Sequence, residues 1–312
     1  MQDNKPSFSE LFENTVTYPD ANYRERYNLL VGLDETKETI TKILGILVNP
    51  GGIKEWSEKY HKKAKLITSF VLRRPPLIVL AGDVGSGKSE LAYTIGDAIA
   101  RQEKIDVELF PLSLATRGQG RVGQMTQLIS ASFDYTLDRA KKLKNDGSKS
   151  KGAVILLIDE ADALAQSREN DQMHHEDKAG VNAFIRGIDN LGNGKFPAAV
   201  IMCTNRPNSL DPAIQRRAAA IIHFSRPGEE ARKLVLTEPL EELGFSTKDI
   251  EKLVDLTGPQ NGRAYGFTFS DLVQRLLPSL VLDAYPDKAI EPKRAIEITK
   301  SITPTPPFKE TL

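Results

Sequence analysis

Cysteine is almost missing: among 312 residues only Cys203 carries a thiol, so no internal disulfide can staple the chain. Its setting, Ala199-Val200-Ile201-Met202-Cys203, reads as a buried strand position in a reducing compartment. An excess of one charge sign is lacking too. The 42 Lys and Arg balance the 42 Asp and Glu, so no global field draws the chain to nucleic acid or to an anionic membrane surface. No apolar run reaches the ~18 residues of a membrane span. The start, Met1-Gln2-Asp3-Asn4-Lys5-Pro6, has no apolar signal core, and a cytoplasmic location is expected. Internal repeats are absent. What is there, 40% apolar and 27% charged residues, is an ordinary globular composition, enough for one large domain or two modest ones.

Residues 1–27 are polar with scattered aromatics (Phe8, Phe12, Tyr18, Tyr23, Tyr27), too short for a domain, and read as an extension packed on a neighbour. From Leu29 short β-rich apolar runs alternate with amphipathic stretches, the pattern of a mostly parallel sheet covered on both faces. Strands are expected at 77–81, 107–111, 154–158, 199–204 and 220–224, with helices starting near Lys88, Gly123 and Lys178. The Lys141 to Lys151 stretch has turn composition and reads as a solvated loop. After Phe224 the strand pattern stops, and Arg226-Pro227-Gly228 opens a helical region with helices at 228–242, 246–257, 268–284 and 291–300. The expected fold is α/β, a parallel sheet flanked by helices, with a small all-helical domain. The boundaries are an extension at 1–27, a large α/β domain at 28–226 and a small helical domain at 227–312.

Gly82-Asp83-Val84-Gly85-Ser86-Gly87-Lys88-Ser89 completes the pattern G-x-x-x-x-G-K-[ST]. It lies between the apolar run Leu77-Ile78-Val79-Leu80-Ala81 and a helix starting at Ser89, the context that the mechanism requires. Glycines let the backbone curl so that successive amides point at phosphate oxygens, helped by the positive end of the next helix. Lys88 is expected to reach the β- and γ-phosphates of ATP and Ser89 to ligate Mg²⁺. About 70 residues on, Val154-Ile155-Leu156-Leu157-Ile158 runs into Asp159-Glu160. Carboxylates at the end of a buried strand are costly unless compensated. Asp159 suits the magnesium shell and Glu160 the base that orients the attacking water. The strand ending in Thr204-Asn205-Arg206-Pro207 offers Asn205 as a hydrogen-bonding group for that water or the γ-phosphate. Arg216 and Arg217 are adjacent guanidinium groups of the kind that stabilise transition-state charge on a neighbouring subunit's γ-phosphate.

These residues together resemble the AAA+ ATPases, and the resemblance runs from Leu30 to the carboxyl end, which implies a P-loop NTPase sheet flanked by helices as the large ATPase domain at 28–226. It implies that Val31-Gly32-Leu33-Asp34 contacts adenine, that Asn205 is the first sensor, that Arg216 and Arg217 are trans-acting arginine fingers, and that the terminal helices form the lid. It also implies a homo-oligomeric ring, usually a hexamer, with ATP at subunit boundaries. The loop that grips polypeptide in remodelling members falls at Gly120-Arg121-Val122-Gly123, without the usual aromatic, so Val122 is the expected grip and limited remodelling the expected outcome. A second pore loop falls at Ser167 to Lys178. Its His174-His175-Glu176-Asp177 cluster reads as a solvated loop rather than a metal site, because adjacent histidines diverge.

Within AAA+ proteins the chain is similar to the pachytene-checkpoint type that remodels HORMA-domain proteins. The grounds are Val181-Asn182-Ala183, Ile188-Asp189, and Leu277-Pro278 followed by Tyr285. In that type the second-sensor arginine falls at Leu272 of this chain, with Arg275 one turn later as a substitute, and the amino-terminal adaptor domain has no counterpart. The short bacterial forms in antiphage operons, beside HORMA proteins and cyclic-oligonucleotide synthases, share this plan. The implied partner is a HORMA-domain protein, with neither membrane nor nucleic acid. The rival reading is a nucleic-acid-associated ATP switch, clamp-loader-like or a transposition adaptor, binding DNA through Arg117 and Arg121.

Overall fold

Strands form where apolar residues run without a polar break. In a computed structural model of the chain, Leu77–Gly82 (β2), Gly152–Asp159 (β4) and Ala198–Thr204 (β5) are buried almost throughout, as a strand covered on both faces must be. The structure describes residues 6–308 except 13, 62–63, 114–123, 146–148, 166–174, 193–194, 207–209 and 261. With Val16–Tyr18 (β1), Asp106–Ser113 (β3) and Ala218–Phe224 (β6), they make one six-stranded sheet in the order β1-β3-β4-β5-β2-β6. β3, β4, β5 and β2 run parallel to one another in turn, and β1 is antiparallel to β3. Register is firm: Leu156 of β4 lies between Phe110 of β3 and Val200 of β5.

Five of these strands follow the sequence pattern. The sixth, β1, does not: Val16-Thr17-Tyr18 has too little apolar content to announce itself, and it pairs with β3 as Val16↔Leu109 to Tyr18↔Val107. Val16–Tyr18 thus packs on the chain's own sheet edge. Tyr18 is fully buried, meets Tyr23 edge-on with 5.3 Å between ring centroids, and donates its hydroxyl to the Tyr93 carbonyl. Its ring occupies the space over Gly96, where a Cβ would come within 2.3 Å of Tyr18 Cε2.

Two compact units result. The first comprises 1–27, 35–81 and 89–223; the second comprises 28–34, 82–88 and 224–312. The first buries its core between the sheet and helices such as Gln124–Leu143 and His175–Leu191, with Phe133 and Phe184 meeting edge-on. Burial of each such large side chain contributes about 1.5–3 kcal/mol. The second is built on Glu229–Glu242, Thr247–Thr257, Leu277–Ala284 and Pro292–Ser301, around Leu236, Leu253, Phe267 and Leu276. Ser246 caps Thr247–Thr257 reciprocally with Asp249. Asp271–Leu276 winds as a π-helix ahead of Pro278. A proline has no amide to donate to the carbonyl four residues back and its ring crowds that carbonyl, so the preceding turn widens. Among the described residues no helix is long and apolar enough to cross a membrane.

Candidate nucleotide site

In the second unit the phosphate loop bends where β2 ends. Gly82 has φ 152°, and a Cβ there would stand 2.0 Å from the Phe224 carbonyl oxygen, so no other residue fits. Gly85, at φ 71°, lies as close to Thr268, with a Cβ position 2.7 Å from Thr268 Oγ1, and its carbonyl accepts from Ser270 N–H at 3.1 Å. Lys88 is 5% exposed, and its ammonium donates to the carbonyls of Asp83 (2.7 Å) and Gly82 (3.0 Å). A positive charge is thereby fixed inside the loop. Ser86, fully buried, donates to Asp83 O at 2.7 Å and helps hold the curl. Val31 packs on the helical core, and Leu33 lies 3.4 Å from the Cβ position of Gly87. Gly32 sits against Ala231. Val31, Gly32 and Leu33 therefore share one unit with residues Gly82 to Lys88.

In the first unit, Ser89 Oγ donates to Asp159 Oδ1 at 3.0 Å, joining the end of the phosphate-loop sequence to the end of β4. The next residue, Glu160, is exposed and has φ 53°, with its amide donating to Asp159 Oδ1 at 2.9 Å. A non-glycine residue in the left-handed region costs about 1–3 kcal/mol and persists where surrounding structure dictates it. Here Asp159 and the Ala161 amide bond to Cys203 O (2.9 Å) hold it from both sides. β5 lies beside β4 in the sheet, and Asn205 follows directly from its end. Its amide N–H and Nδ2 both donate to Asp162, at 2.7 and 3.2 Å, and Thr204 Oγ1 donates to the same carboxylate at 2.8 Å.

The two arginines differ. Arg217 makes a bidentate pair with Asp189, at 2.7 and 2.9 Å, and donates to Ala213 O at 3.2 Å. Arg216 is exposed, and although its amide donates to Pro212 O at 3.1 Å, its guanidinium has no hydrogen bond or ion pair among the described residues. Arg121, Val122, Gly123 and Arg117 lie outside the described residues, as does the second pore loop up to His174.

A model of the ATPase family associated with various cellular activities (AAA) matches residues 78–226. CD-NTase-associated protein 6 of Escherichia coli (strain MS 115-1) is 62% identical over 304 residues, 97% of this chain and 98% of that protein. This chain belongs to the AAA ATPase family. Among solved structures it is similar to a chain of the E. coli MS115-1 HORMA:CdnC:Trip13 complex, with TM-score 0.89 and 61% identity over 98% of this chain and 100% of that one. Trip13 from Rhizobiales matches with TM-score 0.74 and 54% identity, over 95% and 100% of the two chains.

AAA chemistry asks for a nucleotide with a divalent cation, and the donor set suits both. Ser89 and Asp159 offer hard oxygen ligands of the kind magnesium takes, and the curled loop carries the buried Lys88 ammonium. In the second unit, Leu272 is fully buried in the apolar core. Arg275 donates to Asp271 Oδ1 (2.8 Å) and Thr303 O (3.0 Å). Three residues given no site role from the sequence bear on the candidate groups of the first unit: Asp162 holds Asn205, Asp189 holds Arg217, and Tyr93 lies within electrostatic reach of Asp159. The Tyr93 phenol is pushed up to about 12, by burial first and by the Asp159 carboxylate second. Asp162 had a signal in hindsight, a third carboxylate in Asp159-Glu160-Ala161-Asp162, which alone reads as the acidic first turn of a helix.

Proposed function

We propose that this AAA protein hydrolyses ATP to ADP and phosphate with Mg²⁺, as a cytoplasmic ring oligomer, usually a hexamer, and spends the cycle on partial unfolding of a HORMA-domain protein. The observation that carries the chemistry is the Ser89 to Asp159 contact beside Glu160 and an Asn205 fixed by Asp162. The substrate reading rests on the similarity to the HORMA:CdnC:Trip13 chain and to CD-NTase-associated protein 6, and points to antiphage cyclic-oligonucleotide signalling.

Each residue has a role in the reaction. Magnesium, when bound, neutralises charge developing on the phosphate oxygens. Ser89 and Asp159 would hold it. Lys88 stabilises the β- and γ-phosphates, and Glu160 orients the attacking water and takes its proton. Asn205 fixes that water or the γ-phosphate from the next strand, and Val31, Gly32 and Leu33 bear on the adenine. Arg216, whose exposed guanidinium has no partner among the described residues, is the finger that reaches the next subunit, while Arg217 is held by Asp189. Arg121, Val122 and Gly123 line the pore and grip the substrate.

Glu160→Gln tests this reading. The variant is expected to bind ATP, to lose turnover, and to retain a HORMA-domain protein on a sizing column only when ATP is present. Unchanged turnover removes Glu160 from the mechanism, and no nucleotide-dependent retention removes the HORMA-domain substrate.

A further inference from the structure

The second position of the phosphate loop is an aspartate, and that is electrostatically awkward. A loop built to take a polyphosphate carries a carboxylate, and at short range in a poorly solvated site like charges repel by several kcal/mol. The structure shows what offsets it. Arg226 Nε donates to Asp83 Oδ2 at 2.6 Å, with the two side chains only 14% and 17% exposed, so water screens the pair little. The other oxygen, Oδ1, accepts from Val84 N–H at 2.9 Å and from Phe308 N–H at 3.2 Å. Arg226 is itself held in place: Nη1 donates to Gly266 O (2.8 Å) and Thr305 O (2.7 Å), and the guanidinium lies over the Tyr265 ring at 5.0 Å. Its Nη2 is buried without an acceptor among the described residues, so this cation has not spent all its donor capacity on structure. The carboxyl-terminal segment that meets both members of the pair is anchored by Thr305, whose N–H and Oγ1 donate to the buried Asp271 at 3.0 and 2.8 Å.

We propose that Asp83 and Arg226 form a charge-balancing latch that sets how tightly the phosphate loop holds a nucleotide. Both are positioning residues: the arginine cancels the loop's own carboxylate and ties the loop to the lid and to the carboxyl-terminal segment. This rests on the nucleotide-binding reading above. A pair that matters only for packing weakens binding whichever member is lost. A charge balance gives opposite signs. Arg226→Gln leaves an uncompensated carboxylate in the loop and repels phosphate; Asp83→Asn leaves an uncompensated guanidinium and attracts it. Removing both restores neutrality.

The experiment is a titration of full-length protein with mant-ADP and Mg²⁺, read by fluorescence anisotropy, with Lys88→Ala as the reference for a disabled loop. Arg226→Gln is expected to raise Kd about tenfold. Asp83→Asn is expected to lower it, and the double variant Asp83→Asn/Arg226→Gln to bind clearly tighter than Arg226→Gln alone. Arg226→Lys keeps the charge while losing the fork of hydrogen bonds; it is expected to stay within about threefold of the parent, and decides the matter if Arg226→Gln does not fold. The latch is overturned if Arg226→Gln binds like the parent, if the double variant binds no tighter than Arg226→Gln, or if Arg226→Lys is as weak as Lys88→Ala. Failure of the parent protein itself to bind mant-ADP overturns the nucleotide reading instead.

Discussion

Three donors converge on the Asp162 carboxylate, and two of them belong to Asn205. In Asp162→Asn one acceptor oxygen becomes an amide donor facing Asn205 Nδ2, so the side chain of Asn205 loses its fixed direction while the fold keeps its shape. Misplacing a group near the reacting atoms by about 1 Å costs up to ~10²-fold. We therefore expect kcat for ATP to fall by about ten- to a hundredfold with KM nearly unchanged, measured by steady-state phosphate release; an equal rise in KM would place Asp162 in binding instead. At Asp189 the expectation is milder. Asp189→Ala releases Arg217 from an exposed bidentate pair, worth about 0–1 kcal/mol of stability. A melting temperature close to the parent's, together with reduced turnover, is the signature of a residue that aims an arginine.

The amino-terminal strand and the lid helix make separate predictions at the scale of elements. Gly96→Ala places a methyl against the buried Tyr18 ring, and overpacking of this kind costs about 1–3 kcal/mol. Calorimetry should show a lower melting temperature, and Tyr18→Ala should cancel much of the added loss, since the two share one volume. In the second unit, Asp271 is fully buried. Burial alone would raise its pKa, but hydrogen bonds from Thr268, Thr305 and Arg275 outweigh it and hold the carboxyl below its ordinary value. A depressed carboxylate contributes stability above its unfolded pKa and loses it as pH falls through the folded value. Acid below the ordinary carboxylate range should therefore loosen the lid, and Asp271→Asn should flatten that limb of the stability curve while lowering the plateau at neutral pH. A parallel shift without flattening would contradict the assignment.

At the scale of the whole molecule the test is complementation. Lys88→Ala subunits lack a working loop yet keep Arg216; Arg216→Ala subunits keep the loop and lack the finger. Mixed, they should recover part of the ATPase rate that neither has alone, because some interfaces then pair an intact loop with an intact arginine. No recovery means that one chain completes its own site. Much of this was legible before any coordinates. The phosphate loop, the apolar run into Asp159-Glu160 and the switch from strands to helices after Phe224 are all local patterns. β1 was not legible, since three residues of mixed polarity become a strand only because β3 offers an open edge and Gly96 leaves room for Tyr18.

The sequence by itself determined the α/β class, the five apolar strands and the switch to helices after Phe224, because strand burial and helix amphipathicity each depend on residue types at short, fixed spacing. Only the tertiary structure decided which charges meet. Asp83 with Arg226, Asp189 with Arg217 and Asp162 with Asn205 are separated by 143, 28 and 43 positions along the chain. No periodicity links residues that far apart. Each pair lies within one of the two units, and its members meet because that unit's own fold brings separate segments together.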